Sequence, residues 1–403
     1  MTMCIRLAII TASMLAAAAP AHAATCSFDE ASGDLSVALE GYDNSTLKVV
    51  SGAIQLDGTA CGAATTTSTS RIVVTSFDGR PDTLQLVGRF APGRNDVPEA
   101  DKPEIEIELV NFVDRNDTLV VFGTARNDVI RFTAGGLNLN DDLDEDVVGS
   151  AGGRLRVRGQ NGDDLIDASA YAGGSALDLR GGAGNDTITA SAAADDIHGE
   201  AGNDTLDGGA GRDEIWDGPG ADKVMGGADP DLLQVDPTAD PGDDFHGGGG
   251  YDILYYLGRT AGLTITIDNL ADDGEPGEND NVHLDIEELW GGDGDDVLIG
   301  SSADDVLWGG YGDDELYGGD GDDLLIGLWG ADLLVGDGGD DTLSAGDGPD
   351  VLDGGPGLDA MYGHIGADVF YNDDGFADTV ECGPGTDDPE PDPLDSFVDC
   401  ENI

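Results

Sequence analysis

The chain has 403 residues, of which 83 are Asp or Glu and 17 are Lys or Arg, giving a formal net charge of −66 at pH 7. This charge repels nucleic acid and anionic lipid and excludes them as partners, while it attracts cations along the whole chain. A disordered acidic chain or a surface adapted to high salt would carry the same charge, so only ordered placement of the acids would indicate metal binding.

Residues 1–23 have the pattern of a secretory signal. Arg6 precedes an apolar run at 7–19, and a small-residue cleavage site follows at 21–23. The run is short for a bilayer span, and no later segment is long and apolar enough to cross a membrane. We therefore expect a secreted mature chain without a membrane span, either released outside the cell or held at the cell surface.

Residues 24–150 are predicted to form an N-terminal β-rich domain. Short runs of β-branched and apolar residues, such as those at 46–50, 71–74 and 119–122, are separated by Gly, Asn and Asp turns. The pattern fits either a broad β-solenoid or a sandwich, and both would cap the open end of the repeats that follow.

Four of the five cysteines lie beyond the signal, and an even number outside the cytoplasm predicts two disulfides. Pairing by proximity joins Cys26 to Cys61 and Cys382 to Cys400. Free thiols and a zinc site are the alternatives, although no Cys-x-x-Cys spacing supports zinc.

Most of the remaining chain is a tandem array of nonapeptides. A first block at 151–255 holds six units without a gap at 181–234, and a second block at 291–380 holds nine units at 291–371. Each unit has aspartate at its sixth position and an apolar side chain at its eighth. The sixth-position residues, including those of single copies at 159–167 and 247–255, are Asp164, Asp186, Asp195, Asp204, Asp213, Asp222, Asp231, Asp252, Asp296, Asp305, Asp314, Asp323, Asp332, Asp341, Asp350, Asp359 and Asp368.

This spacing predicts a coil. Six glycine-rich residues form a turn, because glycine reaches positive φ cheaply, and three more form a short strand whose middle side chain points inward. Two units make one coil of about 18 residues, and coils stack about 4.8 Å apart with turn n over turn n+2. Stacking would press carboxylates together unless a cation lies between them. Two aspartates and nearby peptide carbonyls make an all-oxygen cage of the kind that calcium takes.

In these units the chain resembles the RTX, or hemolysin-type, calcium-binding repeats, whose pattern is G-G-x-G-x-D-x-U-x. The resemblance covers about half of the mature chain and implies an all-β fold, a parallel β-roll or β-solenoid with Ca²⁺ in its turns. One core side chain per unit cannot offset the ordering of nine residues, so we expect folding only on calcium binding. The n to n+2 rule predicts up to about eleven calcium ions. Weak sites are expected where the pattern fails, at Ala193, Asp229, Ala303, Ala345 and 372–380.

Two further segments have no nonapeptide pattern. Residues 256–290 are predicted to be a connector that interrupts the roll, with a strand at 264–267 and a polar loop after it. Residues 381–403 are predicted to form a C-terminal cap, closed by the second disulfide, over the last coil.

No familiar catalytic motif occurs: His-Glu-x-x-His, Gly-x-Ser-x-Gly and the P-loop are all absent from the sequence. His198, His246, His283 and His364 stand apart along the chain and are interpreted as turn or surface residues. We therefore expect a calcium-binding protein that is not an enzyme and that has a structural or interaction role outside the cell.

Two alternatives stay open. Aromatic residues at the ninth position point outward and could bind glycans in a calcium-dependent adhesin, although they form no stripe. They are Trp216, Trp308, Tyr317, Tyr362 and Tyr371. A polysaccharide-acting enzyme would need its site in residues 24–150. The sequence leaves the identity of any cell-surface or polysaccharide partner open.

Overall fold

The computed structural model describes residues 154–371, 374–389 and 393–400, and before them only Asp128 and the strands named below. The signal predicted at 1–23 lies outside the described residues. All the regular elements of this part of the chain are β-strands, which confirms the all-β expectation. The described part of the chain contains no helix with the length and apolar character needed to cross a membrane.

In the described part of the chain, twelve strands precede the first repeat block. They are β1 (Thr25–Asp29), β2 (Asp34–Leu39), β3 (Asn44–Val50), β4 (Ala53–Leu56), β5 (Thr59–Thr65), β6 (Arg71–Ser76), β7 (Thr83–Val87), β8 (Glu106–Val110), β9 (Thr118–Phe122), β10 (Val129–Phe132), β11 (Gly136–Asn138) and β12 (Val147–Val148). Strands β2, β6 and β8 pair in parallel, as do β3, β7 and β9. This is the stacking of a solenoid rather than of the sandwich that the sequence left open. A disulfide joins Cys26 in β1 to Cys61 in β5, as proximity predicted.

The strands of the first repeat block alternate between two sheets. They are β13 (Arg154–Asn161), β14 (Leu165–Asp167), β15 (Leu177–Ala183), β16 (Thr187–Thr189), β17 (Asp196–Ala201), β18 (Thr205–Ala210), β19 (Glu214–Trp216), β20 (Lys223–Ala228), β21 (Leu232–Gln234), β22 (Asp244–Gly249) and β23 (Ile253–Tyr255). Each strand from β13 to β21 pairs in parallel with the strand two further on, so that Ile188 lies over Leu206. Two nonapeptides therefore make one coil, as the spacing predicted. The odd-numbered strands continue the sheet of β9, and the even-numbered strands continue the sheet of β10.

The connector remains part of the roll. Its strands are β24 (Thr264–Thr266), β25 (Ala271–Asp273), β26 (Asp280–Val282) and β27 (Glu288–Trp290). On one face β27 pairs directly with β23, so that sheet is unbroken. On the other face β25, which pairs antiparallel with β26, ends the first sheet, and β24 begins a new one. The Asp273 carboxylate accepts the N–H of Thr266 at 2.6 Å and the N–H of Val282 at 2.9 Å. The interruption predicted for 256–290 is thus confined to one face.

The second repeat block continues the same coil. Its strands are β28 (Val297–Ile299), β29 (Val306–Tyr311), β30 (Glu315–Asp320), β31 (Leu324–Trp329), β32 (Leu333–Gly338), β33 (Thr342–Asp347), β34 (Val351–Asp353), β35 (Ala360–Ile365), β36 (Val369–Tyr371), β37 (Thr379–Glu381), β38 (Asp388–Pro389) and β39 (Ser396–Val398). β29 pairs with β27, and β28 pairs with β24. The second disulfide joins Cys382 to Cys400 beside the last strands, again as predicted.

The core is a narrow column of eighth-position side chains. Leu298, Leu316 and Leu334 lie one above another in successive coils and are fully buried. The strand residues on either side of each core position point away from the column, because side chains alternate along a strand. Each unit buries one such side chain between two turns, and the sixth-position aspartate lies in the turn.

Candidate metal sites

The predicted aspartates form a ladder along each turn edge of the roll. All of them are buried, with 3% or less of each residue exposed. On one edge the N–H of Asp314 donates to Oδ1 of Asp332, and the N–H of Asp332 donates to Oδ1 of Asp350, each over 2.9 Å. On the other edge the N–H of Asp323 donates to Oδ1 of Asp341 over 2.8 Å. The structure therefore stacks the carboxylates coil upon coil, as the nonapeptide spacing predicted.

The second oxygen of most ladder carboxylates accepts no hydrogen bond. These Oδ2 atoms are buried, and a buried charged oxygen without a partner is costly unless a cation or a proton neutralises it. Among the described residues the atom belongs to Asp164, Asp186, Asp204, Asp213, Asp222, Asp231, Asp252, Asp314, Asp323, Asp332, Asp341, Asp350, Asp359 and Asp368. Their regular repetition indicates a repeated site for a cation.

Glycine at the first position leaves the room that such a site needs. A Cβ added to Gly318 would lie 2.4 Å from Oδ2 of Asp323 and 2.7 Å from the carbonyl oxygen of Gly336 in the next coil. A side chain at this position would therefore collide with the carboxylate and the carbonyl. The cradle offers oxygen atoms only, the donor type that calcium prefers. The sites thus fit calcium better than zinc or copper, which favour nitrogen and sulfur.

Burial makes the ladder carboxyl groups weak acids in the metal-free fold. Burial raises the pKa of Asp204 and of Asp213 to about 8. In each case a backbone hydrogen bond from the preceding coil opposes the rise, and repulsion from the stacked carboxylates adds to it. The same causes raise the pKa of Asp323 and Asp350 to about 7. The fold without metal therefore favours protons on groups that would be ionised in an unfolded chain.

These shifts predict that the metal-free chain gains structure in acid. The folded-state pKa values, about 6 for Asp341 to about 8 for Asp204, lie above the ordinary value of 3.8. Their contribution to folding is therefore fully present below about pH 4 and is lost as the pH rises through about 6 to 8. We expect the metal-stripped chain to gain β-structure between about pH 8 and pH 5, measured by far-ultraviolet circular dichroism with light scattering to exclude aggregates. Identical disordered spectra at both pH values would contradict the expectation.

Two ladder aspartates obtain a local partner in place of a cation. The N–H and the hydroxyl of Ser191 donate to Oδ2 of Asp195 at 2.8 and 2.7 Å. Ser301 donates to Oδ2 of Asp305 in the same way, at 2.6 and 2.8 Å. These are the units in which Ala193 and Ala303 replace the fourth-position glycine. This arrangement supports the expectation that such turns bind calcium weakly.

Asp296 behaves similarly, since its Oδ2 accepts the N–H of Gly292 at 2.6 Å. No departure from the nonapeptide pattern marks this unit, which begins GGDGDD. It directly follows the connector, so it lacks a normal coil before it, and the N–H of Leu263 donates to its Oδ1. Sequence reasoning could not separate this turn from its neighbours.

The ladders also include carboxylates that the nonapeptide pattern missed. Asp243 accepts the N–H of Asp222 at 2.7 Å, and burial raises the pKa of Asp243 to about 9, with Asp280 adding repulsion. Asp378 and Asp387 extend the ladders beyond the last unit, accepting the N–H groups of Asp359 and Asp368. A looser signal marks all three: an aspartate two residues before a buried side chain, whatever the length of the turn before it.

At the connector the chain supplies its own cation. The Arg259 side chain is fully buried, and its Nη1 lies 2.5 Å from Oε1 of Glu278 and 3.6 Å from Oε1 of Glu275. Nε donates to the carbonyl oxygen of Asp236 at 2.7 Å, and Nη2 lies 4.0 Å from Oδ1 of Asp240. The guanidinium therefore neutralises acidic groups where the regular coil is interrupted. Sequence analysis did not single out this residue.

The fold and the site together define a parallel β-roll with buried carboxylate ladders at its turns. The family profile described as RTX calcium-binding nonapeptide repeat (4 copies) matches this chain at residues 178–206, 198–233, 290–325, 308–343, 326–359 and 335–370. The repeats at 178–233 and 290–370 are therefore RTX calcium-binding nonapeptide repeats, which confirms the resemblance for those residues. No curated protein sequence matches the chain.

Proposed function

We propose that this chain is a secreted calcium-binding protein whose repeats fold into the β-roll when calcium occupies the carboxylate ladders. The observation that carries the proposal is the series of buried Oδ2 atoms without hydrogen-bond donors. Calcium, when bound, would supply positive charge shared between stacked carboxylates and carbonyl oxygens. The ligands that we propose are the sixth-position aspartates, with Asp195, Asp296 and Asp305 as the weakest of them.

The number of ions stays a prediction of up to about eleven. The serine-bonded turns at Asp195 and Asp305 lower this number, because their Oδ2 atoms already accept two hydrogen bonds each. The additional ladder residues Asp243, Asp378 and Asp387 raise it. The two corrections act in opposite directions.

We propose export on two grounds: the signal pattern at 1–23 and the two disulfides. Calcium-binding modules that work outside cells have dissociation constants of about 10⁻⁴ to 10⁻³ M. With such constants the repeats would stay unfolded inside a low-calcium cell and would fold outside it. The resulting role is that of a calcium-stiffened structural or interaction module. We propose no catalytic role, since the ladders account for the buried repeat carboxylates.

Within one nonapeptide the chain offers a matched pair of test residues. Asp323 is a buried ladder residue, whereas Asp320 carries the same charge at the exposed third position. We expect Asp323→Ala to raise the calcium concentration at the folding midpoint on the order of tenfold, because two stacked sites lose a charged ligand. Asp320→Ala should shift it little. Calorimetric titration of the two metal-stripped variants with calcium measures both midpoints. Equal shifts would show that the two aspartates act only through general charge attraction, and not as ligands.

The adhesin alternative has one observation in its favour and one against it. Tyr311 and Trp329 are 53% and 46% exposed and stack with ring centroids 4.4 Å apart, a pair that could contact a sugar. Tyr255, Trp290 and Trp308 form a stripe, which contains only one of the five ninth-position residues named from the sequence. Trp290 and Trp308 stack 4.2 Å apart, but both are half-buried and so offer a sugar less surface than the exposed pair does. Loss of glycan binding in Tyr311→Ala and Trp329→Ala, with calcium binding intact, would favour the adhesin.

A further inference from the structure

Two histidines and one aspartate come together on the outer face of the sheet beside the connector. β22 and β26 pair in parallel with Phe245 opposite Val282, and both of these side chains are buried. Because side chains alternate along a strand, Asp244 and His246 point outward. His283 lies beside His246, since its N–H donates to the carbonyl oxygen of Phe245 at 3.1 Å. His246 and His283, interpreted from the sequence as turn or surface residues that stand apart along the chain, do lie on the outer face, but they lie beside each other.

The two imidazoles present the same ring atom to one carboxylate. Nε2 of His283 lies 2.8 Å from Oδ1 of Asp244, and Nε2 of His246 lies 3.5 Å from Oδ2. The two rings stack with centroids 3.5 Å apart. One ligand atom from each residue lies within 4.8 Å of the other two, a spacing that one ion can bridge. The three side chains thus converge on a common point.

The hydrogen bonds around His283 orient its ring so that Nε2 faces this point. Oδ1 of Asn269 accepts the N–H of Leu284 at 3.2 Å, and Nδ1 of His283 lies 2.8 Å from the same oxygen. Nδ1 therefore donates to this oxygen, and Nε2 is the ring nitrogen on the side of the Asp244 carboxylate. Nδ2 of Asn281 lies 2.7 Å from Nε2 of His283 and donates to Oδ1 of Asp244 at 2.8 Å, but this amide brings no positive charge. A cation at this point would stabilise both.

We propose that Asp244, His246 and His283 bind one zinc ion, or another divalent ion with the same preference for imidazole. Two nitrogen donors and one carboxylate suit zinc, whereas calcium takes oxygen donors almost exclusively. Asn269 holds the ring of His283 in place through its Nδ1, as hydrogen-bond partners of metal-binding histidines do. On the other ring, Oδ2 of Asp285 lies 3.9 Å from Nδ1 of His246. The site is half-buried, so an ion can enter and keep a water molecule as its fourth ligand. Lys223, 3.8 Å from Asp244, is exposed and free to move aside.

The bound ion would connect two strands where the sheet ends. Asp244 and His246 lie on β22, whereas His283 directly follows β26. β26 is the last strand of this sheet that pairs in parallel with its neighbour. Zinc would therefore hold the edge of the first block against the connector, at a place that the aspartate ladders do not reach. Binding to the folded form alone would raise the melting temperature of the calcium-loaded chain.

The test is a calorimetric titration of the calcium-saturated full chain with zinc chloride. We expect one zinc ion per chain at a site that is lost in His246→Ala and in His283→Ala. His198→Ala is the matched control, because Nε2 of His198 lies 2.7 Å from Oδ1 of Asp196 with the same spacing along a strand. Its neighbour in the next coil is Trp216 rather than a second histidine, so this variant should bind zinc as the wild type does.

Asn269→Ala separates a metal site from a simple ion pair. Loss of an outer hydrogen bond to a ligand should weaken zinc binding about 10- to 100-fold without removing it. Cobalt in place of zinc should give the visible absorption of a nitrogen-bound ion, absent in His283→Ala. Equal zinc binding by all variants would assign the zinc to the ladders, and no binding by the wild type would leave only a hydrogen-bonded cluster of side chains; either result overturns the proposal. Unchanged calcium-dependent circular dichroism shows that each variant has folded.

Discussion

Removal of calcium is expected to unfold both repeat blocks. Without the ion the buried ladder carboxylates must either ionise beside one another or take up protons, and at neutral pH both cost free energy. The core cannot compensate, because each unit buries only one apolar side chain such as Leu316 or Leu325. Far-ultraviolet circular dichroism at neutral pH should change from a β spectrum to a disordered one in excess chelator, and the hydrodynamic radius should increase.

Magnesium provides the control for this experiment. It carries the same charge as calcium but requires a tighter octahedral site, so we expect it to restore little of the β spectrum at equal concentration. A chain that keeps its complete β signal in chelator would contradict the coupling of folding to calcium. A chain that refolds equally well with magnesium would show that charge alone, rather than the shape of the cradles, drives folding.

Replacement of Arg259 by methionine is expected to destabilise the connector strongly. The change removes a fully buried cation and leaves Glu278 and Asp240 without its charge, in surroundings where carboxylates are already numerous. Breaking a buried ion pair by removing one partner costs about 3 to 5 kcal/mol. We expect a loss of this size in the free energy of unfolding of the calcium-loaded chain, measured by urea denaturation.

Two further variants make this prediction specific. Arg212→Met removes the same charge from an exposed side chain and should change the stability little. Glu278→Gln added to Arg259→Met should recover part of the loss, because it removes the carboxylate that lies 2.5 Å from the guanidinium. Equal stability of Arg259→Met and Arg212→Met would show that the guanidinium is not needed as an internal cation.

The regular part of the fold could be predicted because its contacts are local in the repeat. Asp314 and Asp332 contact each other through a spacing of 18 residues that the sequence displays directly. Glycine at the first position and an apolar residue at the eighth then determine the cradle and the core. The same reasoning predicted the two disulfides, since each joins cysteines that are near in sequence.

The irregular features could not be predicted because they depend on turns of unequal length. Asp222 and Asp243 are 21 residues apart, so Asp243 is outside the nonapeptide frame although it occupies a ladder position. Asp244 and His283 are 39 residues apart and meet only because the connector loop leaves the coil and returns to it. The role of Arg259 likewise depends on Asp240 before the connector and on Glu275 and Glu278 within it, which no periodic pattern relates.

Equilibrium dialysis of the folded chain against calcium, with the bound ions counted by atomic emission, tests the account most directly. If the ladders are calcium sites, about eleven ions should bind per chain at millimolar concentration, and Asp323→Ala should remove at least one of them. Binding of two ions or fewer, or an unchanged number in Asp323→Ala, would contradict the account.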